Sequence, residues 1–381
     1  MSGHLSAFLD QNGLDGFLYV GESYGDADMY YLSRFLAGDR FALLAGKESI
    51  LLVSSMELGR ARKESAADRV LSTSEFHITD KLKSSKRPDE AYALVLADFL
   101  GRCSVKRLGV PYNFPAGIYR SLVQDFSVQI LSSPIARQRE IKRPEELQAI
   151  ALTQRACERA MKRAIRLIAS SEARGEMLFR GGEPLTSERV RRAIELSLLE
   201  DGCEAVDTIV SGGRQAADPH SRGAGPLPAH APIVIDIFPR SKSSRYFADM
   251  TRTVLKGEAS SEVVELYRAV EAAQKAGLEA VREGATGSDV HRRVSDVFQE
   301  QGYPEREGCG FTHSTGHGVG LEVHERPSLG EAGEALKSGQ VVTVEPGLYY
   351  PDLGGVRLED LVVVEKDGCH NLTRFQRKLV V

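Results

Sequence analysis

Three apolar segments of this 381-residue chain each carry a carboxylate where a hydrocarbon side chain belongs, which limits the folds open to it. Residues 231–238 read APIVIDIF, an apolar run of the kind found in buried strands, interrupted by Asp236. Residues 340–345 read QVVTVE, and Glu345 meets Pro346 and Gly347. Residues 355–364 read GVRLEDLVVV, with Arg357, Glu359 and Leu361 on one face and Leu358, Asp360 and Val362 on the other. A carboxylate in such a strand is costly unless it is paired or bound to a cation. One is tolerable, whereas three in one part of the chain call for a shared partner. Alternation alone does not choose between Glu359 and Asp360 as the one that faces it.

A second constraint lies at residues 313–325, HSTGHGVGLEVHE, where His313, His317 and His324 are interleaved with Gly316, Gly318 and Gly320. Imidazole is the commonest metal ligand and carries protons near neutral pH. The glycines let backbone and metal come close where a Cβ would obstruct. GHGVG is not read as a nucleotide loop, because no dinucleotide fingerprint with a following acid surrounds it. The other histidines are less telling. His77 stands alone and reads as a surface or capping residue; His291 lies on a helical segment among arginines and reads as surface. His220, in the loop SGGRQAADPHSRGAG, reads on its own as a solvated loop residue.

The length exceeds one comfortable core, so two domains are expected. They meet at the charged junction ARQREIKRPEE, residues 136–146, where Pro144 suits the first turn of a helix. Before it, a helix ends at Asn12-Gly13 and strands fall at 16–20, 41–45, 50–53, 107–110 and 128–131. Helices are expected near 56–67, 89–100 and 117–126, and Gly46-Lys47 forms a hairpin turn. After the junction, Leu147, Ile150, Ala156, Ala160, Met161, Ala164 and Ile168 mark an amphipathic helix over 145–169. Others follow at 187–200, capped by Thr186, at 262–283, and from a Thr286/Asp289 cap to about 301. The fold class is α/β (α+β), with domains at 1–138 and 139–381. A net charge of −4 gives no reason to expect nucleic acid or an acidic membrane surface. No apolar window is long enough to span a membrane, and no signal peptide is indicated at the amino terminus. Five scattered cysteines without a C-x-x-C pair suit reduced thiols in the cytoplasm.

In chain order, DPHSRG at 218–223, VIDIF at 234–238, FADMTRT at 247–253, HSTGHGVGLEVHE at 313–325, TVEPGLYY at 343–350 and VRLED at 356–360 resemble one family. It is the "pita-bread" metallopeptidases, the group holding methionine aminopeptidase, prolidase and aminopeptidase P. The resemblance implies a small amino-terminal creatinase-like domain and a carboxy-terminal pita-bread metallopeptidase domain. It implies five metal ligands, Asp236, Asp249, His317, Glu345 and Glu359, holding two divalent ions per subunit. Like-charge repulsion forbids so many carboxylates together without cations, and two-metal sites supply both nucleophile and electrophile. The oxygen-rich set favours Mn²⁺ or Co²⁺, with Zn²⁺ or Fe²⁺ compatible. Hydrolysis by a metal-bridging hydroxide is the implied chemistry.

By the same resemblance, His220 and His324 touch the substrate, and His313 matches a position of the proline-specific branch. Each is a candidate hydrogen-bond donor to the carbonyl oxygen. Glu345 is also a candidate proton shuttle, and Arg357 a partner that orients the acids, a plain structural ion pair being the alternative. An amino-terminal domain with YYLSRF at 30–35 and MELGRA at 56–61 separates the chain from methionine aminopeptidases. The full ligand set separates it from creatinase. The expectation is an Xaa-Pro dipeptidase or Xaa-Pro aminopeptidase, a cytoplasmic homodimer acting on peptides with proline second, without nucleic-acid or membrane partners. The alternatives are a catalytically silent binding module of the same fold and a related hydrolase with another substrate. Asp249 follows Asp236 by thirteen positions, through a loop slightly longer than in most relatives, which bears on the pocket rim.

Overall fold

A computed structural model describes residues 3–304 and 308–381; residues 1–2, which open the expected amino-terminal domain, and 305–307 lie outside the described residues. Two compact units separate, Met1–Arg139 and Glu140–Val381.

In the first unit six strands form one mixed sheet, in spatial order Arg69–Ser72, Ser49–Val53, Phe41–Ala45, Gly16–Gly21, Arg107–Val110 and Ser127–Ile130. The three central strands pair antiparallel, two of them through the Gly46-Lys47 turn. The outer pairs are parallel and need crossover connections, which helices provide. Helix Pro88–Arg102 packs Ala93, Val95, Leu96 and Phe99 into the core of this unit. Its proline sits in the first turn, where a missing N–H leaves no bond unmade. Phe41–Ala45 is buried along its whole length, which is why it reads as a continuous apolar run. His77 is exposed and left-handed at a helix boundary, the capping place expected of it. The hydrophobic pattern does not mark helices Ala27–Ser33 and Ile78–Ser84: the first buries the consecutive Met29, Tyr30 and Tyr31 and the second buries no residue, so neither shows a periodic apolar face.

The second unit includes helices Pro144–Ala169, Ser187–Glu200 and Gly287–Glu300, which start where their first-turn proline or caps predict, and Ser261–Ala280, which Ser260 caps. Thr186 accepts from the Arg189 N–H, and Thr286 and Asp289 form a reciprocal capping box. One sheet runs Ile209–Gly212, Ile233–Ile237, Met250–Val254, and a larger one runs Glu325–Leu329, Gly316–Gly318, Val341–Val344, Asp360–Glu365, Gly368–Asn371, beside smaller sheets. A hairpin pairs Gly347–Tyr350 with Gly354–Arg357. The single strand expected over 355–364 is therefore two strands, and the cause lies opposite. Pro346 has no N–H for a ladder, so the facing segment breaks there as well. At the break the Glu359 N–H leaves the ladder for the Thr251 carbonyl, 3.1 Å away. Both Glu345 and Glu359 sit at this double interruption.

The loop between Asp236 and Asp249 is an ordered extension. Its Arg240–Ser241 strand pairs with Cys203–Glu204, and Glu204 takes both Arg240 and Arg245. No described helix is long and apolar enough to cross a membrane.

Candidate metal centre

Asp236 stands in a strand buried throughout, opposite Thr251 on one side and Ile209 on the other. Asp249 leads into Met250–Val254, Glu345 follows Val341–Val344, and His317 is the middle residue of Gly316–Gly318. The glycines flanking His317 allow the close backbone approach expected of them. A Cβ on Gly316 would meet the Thr343 carbonyl at 2.0 Å, and one on Gly318 the Arg326 carbonyl at 2.3 Å. They allow neighbouring backbone to close on His317 from both sides.

Every expected site residue lines one cavity of about 340 Å³, together with Ile209, Pro219, Phe238, Ser314 and Val323. That volume suits a small ligand. Ligand atoms of Asp249, His317 and Glu359 lie within 4.8 Å of one another. His317 Nε2 is 3.3 Å from Glu345 Oε1 and 3.8 Å from Asp249 Oδ2. Its Nδ1 faces the Gly318 carbonyl at 3.1 Å. That contact assigns a proton to Nδ1 and turns Nε2 toward the acids, the usual arrangement of a metal-binding imidazole.

The electrostatics point to a missing positive charge. Burial, then the neighbouring carboxylates, push Asp249 and Glu359 well above the ordinary carboxylate range. Burial also raises Asp236 against the pull of Arg357. Burial opposes charge on Glu345 too, yet His317, with His313 and Arg357, brings it down to about 2. For His317, burial works against the imidazolium, but Glu345 outweighs it and the pKa is raised. Asp236 Oδ1 and Glu359 Oε1 are buried with no hydrogen-bond partner among the described residues. Unpaired buried carboxylate oxygens are strongly destabilising. A set of carboxylates and one imidazole with lone pairs to spare fits hard or borderline divalent cations.

Tertiary structure also separates two neighbours that the pattern left equivalent. Glu359 Oε2 accepts from Thr251 Oγ1 at 2.8 Å and faces the cavity. Asp360 turns away, pairing with Arg252 at 2.8 Å and with Arg377. Arg357 is buried and donates to Asp236 Oδ2 at 2.7 Å and to the Tyr349 hydroxyl at 2.8 Å. It is an ion pair whose acid is itself a candidate ligand.

The histidines divide. His220 and His324 are exposed at the cavity wall, and the His324 ring stands edge-on to His317 at 4.3 Å. His313 lines the same cavity and is bonded on both sides. Its Nδ1 faces the Ser314 carbonyl at 2.7 Å and its Nε2 the Tyr349 hydroxyl at 2.8 Å. Both nitrogens are engaged within the protein. Burial also lowers its pKa. A neutral ring with its proton on Nδ1 receives its second bond from Tyr349, whose phenol burial pushes up to about 12. Tyr349 is a residue that the sequence reading passed over inside TVEPGLYY. Strand alternation after Glu345 was the signal for it. His291 is a second. It is half-buried, with Nδ1 3.0 Å from Thr315 Oγ1 and its ring 5.2 Å from Phe311. Its arginine neighbours suggest surface, yet it sits three before Val294 and seven before Phe298, both buried on the inward face of the helix.

Residues 148–366 match the profile of metallopeptidase family M24, and residues 3–141 that of the creatinase/prolidase N-terminal domain. The chain is 30% identical over 382 residues to the Xaa-Pro dipeptidase of Pyrococcus horikoshii, covering 98% of this chain and 96% of that one. Its fold is similar to the crystal structure of the prolidase from Pyrococcus horikoshii, with a TM-score of 0.81, 27% identity, and 99% and 98% of the two chains covered. It is likewise similar to the X-Pro aminopeptidase from Thermotoga maritima, at a TM-score of 0.80, 28% identity, and 97% and 98% covered.

Proposed function

The chain belongs to metallopeptidase family M24, and from that premise we propose that it removes the first residue from peptides whose second residue is proline. Its relatives by sequence and structure include an Xaa-Pro dipeptidase and an X-Pro aminopeptidase, and both substrate lengths stand within the proposal. The observation that carries it is the cavity where Asp236, Asp249, His317, Glu345 and Glu359 converge beside His220 and His324. Those five residues would hold two divalent cations, Mn²⁺ or Co²⁺ by preference. When bound, such ions supply a water that ionises near neutral pH and a Lewis acid for the scissile carbonyl.

The chain's own groups do the rest. His220 and His324 donate to the carbonyl oxygen as negative charge develops there. Glu345, a carboxylate at neutral pH, accepts the proton of the attacking water and delivers it to the proline nitrogen as the bond breaks. Arg357 holds Asp236 in place and, through Tyr349, fixes His313. His313 lines the pocket, and a donor role for it toward the carbonyl oxygen rests on the family resemblance. Ile209, Phe238 and Val323 offer apolar surface on which a pyrrolidine ring or an aliphatic first side chain packs. A catalytic role for 139–381, an accessory domain at 1–138, a homodimer and residence in the cytoplasm complete the proposal, and these rest on the family resemblance.

The test compares Xaa-Pro dipeptides with longer Xaa-Pro peptides, and with Xaa-Ala controls, under added Mn²⁺, Co²⁺ and Zn²⁺. Cleavage before proline is expected, abolished by chelation, restored by metal and absent in Glu359→Gln. Full activity in metal-stripped protein would overturn the chemistry. A folded protein that takes up no metal and cleaves none of these peptides would be a silent binding module instead.

A further inference from the structure

Residues 311–315 carry His313 into the cavity through a segment without helix or strand. Backbone hydrogen bonds anchor it at Gly310, to Tyr349, and at Thr315, so between those two points its position depends on side chains. One side chain from another element touches both of its ends. The His291 ring packs against Phe311 with 5.2 Å between centroids, and its Nδ1 lies 3.0 Å from Thr315 Oγ1. From Phe311 the contact continues, since that ring meets His313 edge-on at 5.4 Å. Thr315 is fully buried, its carbonyl accepts the Glu345 N–H at 2.8 Å, and its N–H reaches the Leu329 carbonyl at 2.8 Å. The next residue, Gly316, leaves no room for a Cβ against Thr343. Movement of Thr315 is therefore passed to Glu345 and to the strand bearing His317.

We propose that His291 is a positioning residue, bracing the 311–315 segment so that His313, His317 and Glu345 keep their relative places. An imidazole does this with one ring, offering a flat face to Phe311 and an in-plane nitrogen to Thr315. Arg292 and Arg293, beside it on the helix, are exposed. Only the kinetic part of the test rests on the proposed peptidase function.

Three variants separate the contributions. His291→Phe keeps the ring packing and loses the nitrogen. His291→Asn sets an amide atom near the Nδ1 position without the ring. Thr315→Val removes the hydroxyl from the other side. Mn²⁺ binding is measured by calorimetry, and kcat and KM on an Xaa-Pro dipeptide. His291→Phe and Thr315→Val should each weaken Mn²⁺ binding several-fold and lower kcat by about tenfold with little change in KM, the scale of a small misplacement of reacting groups. His291→Asn should retain kcat to within about threefold, and the double variant should be no worse than either single one, as expected for one shared bond. Unchanged Mn²⁺ affinity and kcat in both His291→Phe and Thr315→Val would overturn the proposal. So would equal losses in His291→Phe and His291→Asn. If the wild type bound Mn²⁺ but cleaved no Xaa-Pro peptide, the peptidase function would fail, while the calorimetric order of the variants would still decide the brace.

Discussion

At Glu359 and Asp360 two adjacent acids meet opposite surroundings. Burial and other carboxylates push Glu359 well up. Burial acts on Asp360 too, but Arg252 and Arg377 outweigh it and hold Asp360 below its ordinary value. Alternation announced that the two side chains part company; which of them meets acids depends on residues of other elements, among them Glu345, Asp236, Arg252 and Arg377. Tyr349 repeats the point. Its hydroxyl joins Arg357 to His313, a connection that no local pattern encodes. Replacing it by phenylalanine keeps the packing and removes both bonds. Tyr349→Phe is expected to lower kcat/KM on an Xaa-Pro substrate by roughly tenfold or more, the scale of a lost hydrogen bond to a charged group. Metal content should stay unchanged. Steady-state kinetics beside metal analysis checks this, and loss of metal in the variant would count against it.

Elements are joined by a few buried or part-buried pairs, and these set where stability resides. Arg252 and Asp360 are both almost wholly buried and tie Met250–Val254 to Asp360–Glu365. Asp360→Asn leaves buried guanidinium charge uncompensated and should destabilise by about 3–5 kcal/mol. The denaturant midpoint reads this, and a shift worth under about 1 kcal/mol, the scale of an exposed pair, would contradict it. In the first unit Asp15 is bonded to the Arg107 side chain at 2.7 Å and to the Lys106 and Arg107 N–H groups. The Arg107 bond, then that of Lys106, lowers its pKa from 3.8 to about 2. A depressed acid stabilises the fold above its unfolded value. Its contribution is complete above about pH 4 and fades as pH falls toward 2. Water screens this part-exposed pair, so about 1 kcal/mol is expected. The gap in thermal midpoint between wild type and Asp15→Asn should narrow from pH 5 to pH 3. A gap independent of pH would contradict the assignment.

Across the molecule, every candidate ligand lies in Glu140–Val381. A cation that binds only the folded site adds stability by mass action, about 2.7 kcal/mol at a hundred times its dissociation constant. Hydrogen exchange with and without Mn²⁺ should therefore show new protection in Ile233–Ile237 and Val341–Val344; none there would argue against metal in the cavity. The long capped helices, the buried strands and the acids set within them were legible in the sequence, because apolar periodicity and capping chemistry are local and report which face is buried. The motifs and their order along the chain also pointed to the family. Tertiary structure alone decided the rest. It broke the 355–364 strand opposite Pro346, turned Glu359 rather than Asp360 to the cavity, engaged both nitrogens of His313, and brought His291 in from its expected surface. Each outcome depends on hydrogen bonds and charges between residues far apart in the chain, and periodicity carries no information about which distant group will be the partner.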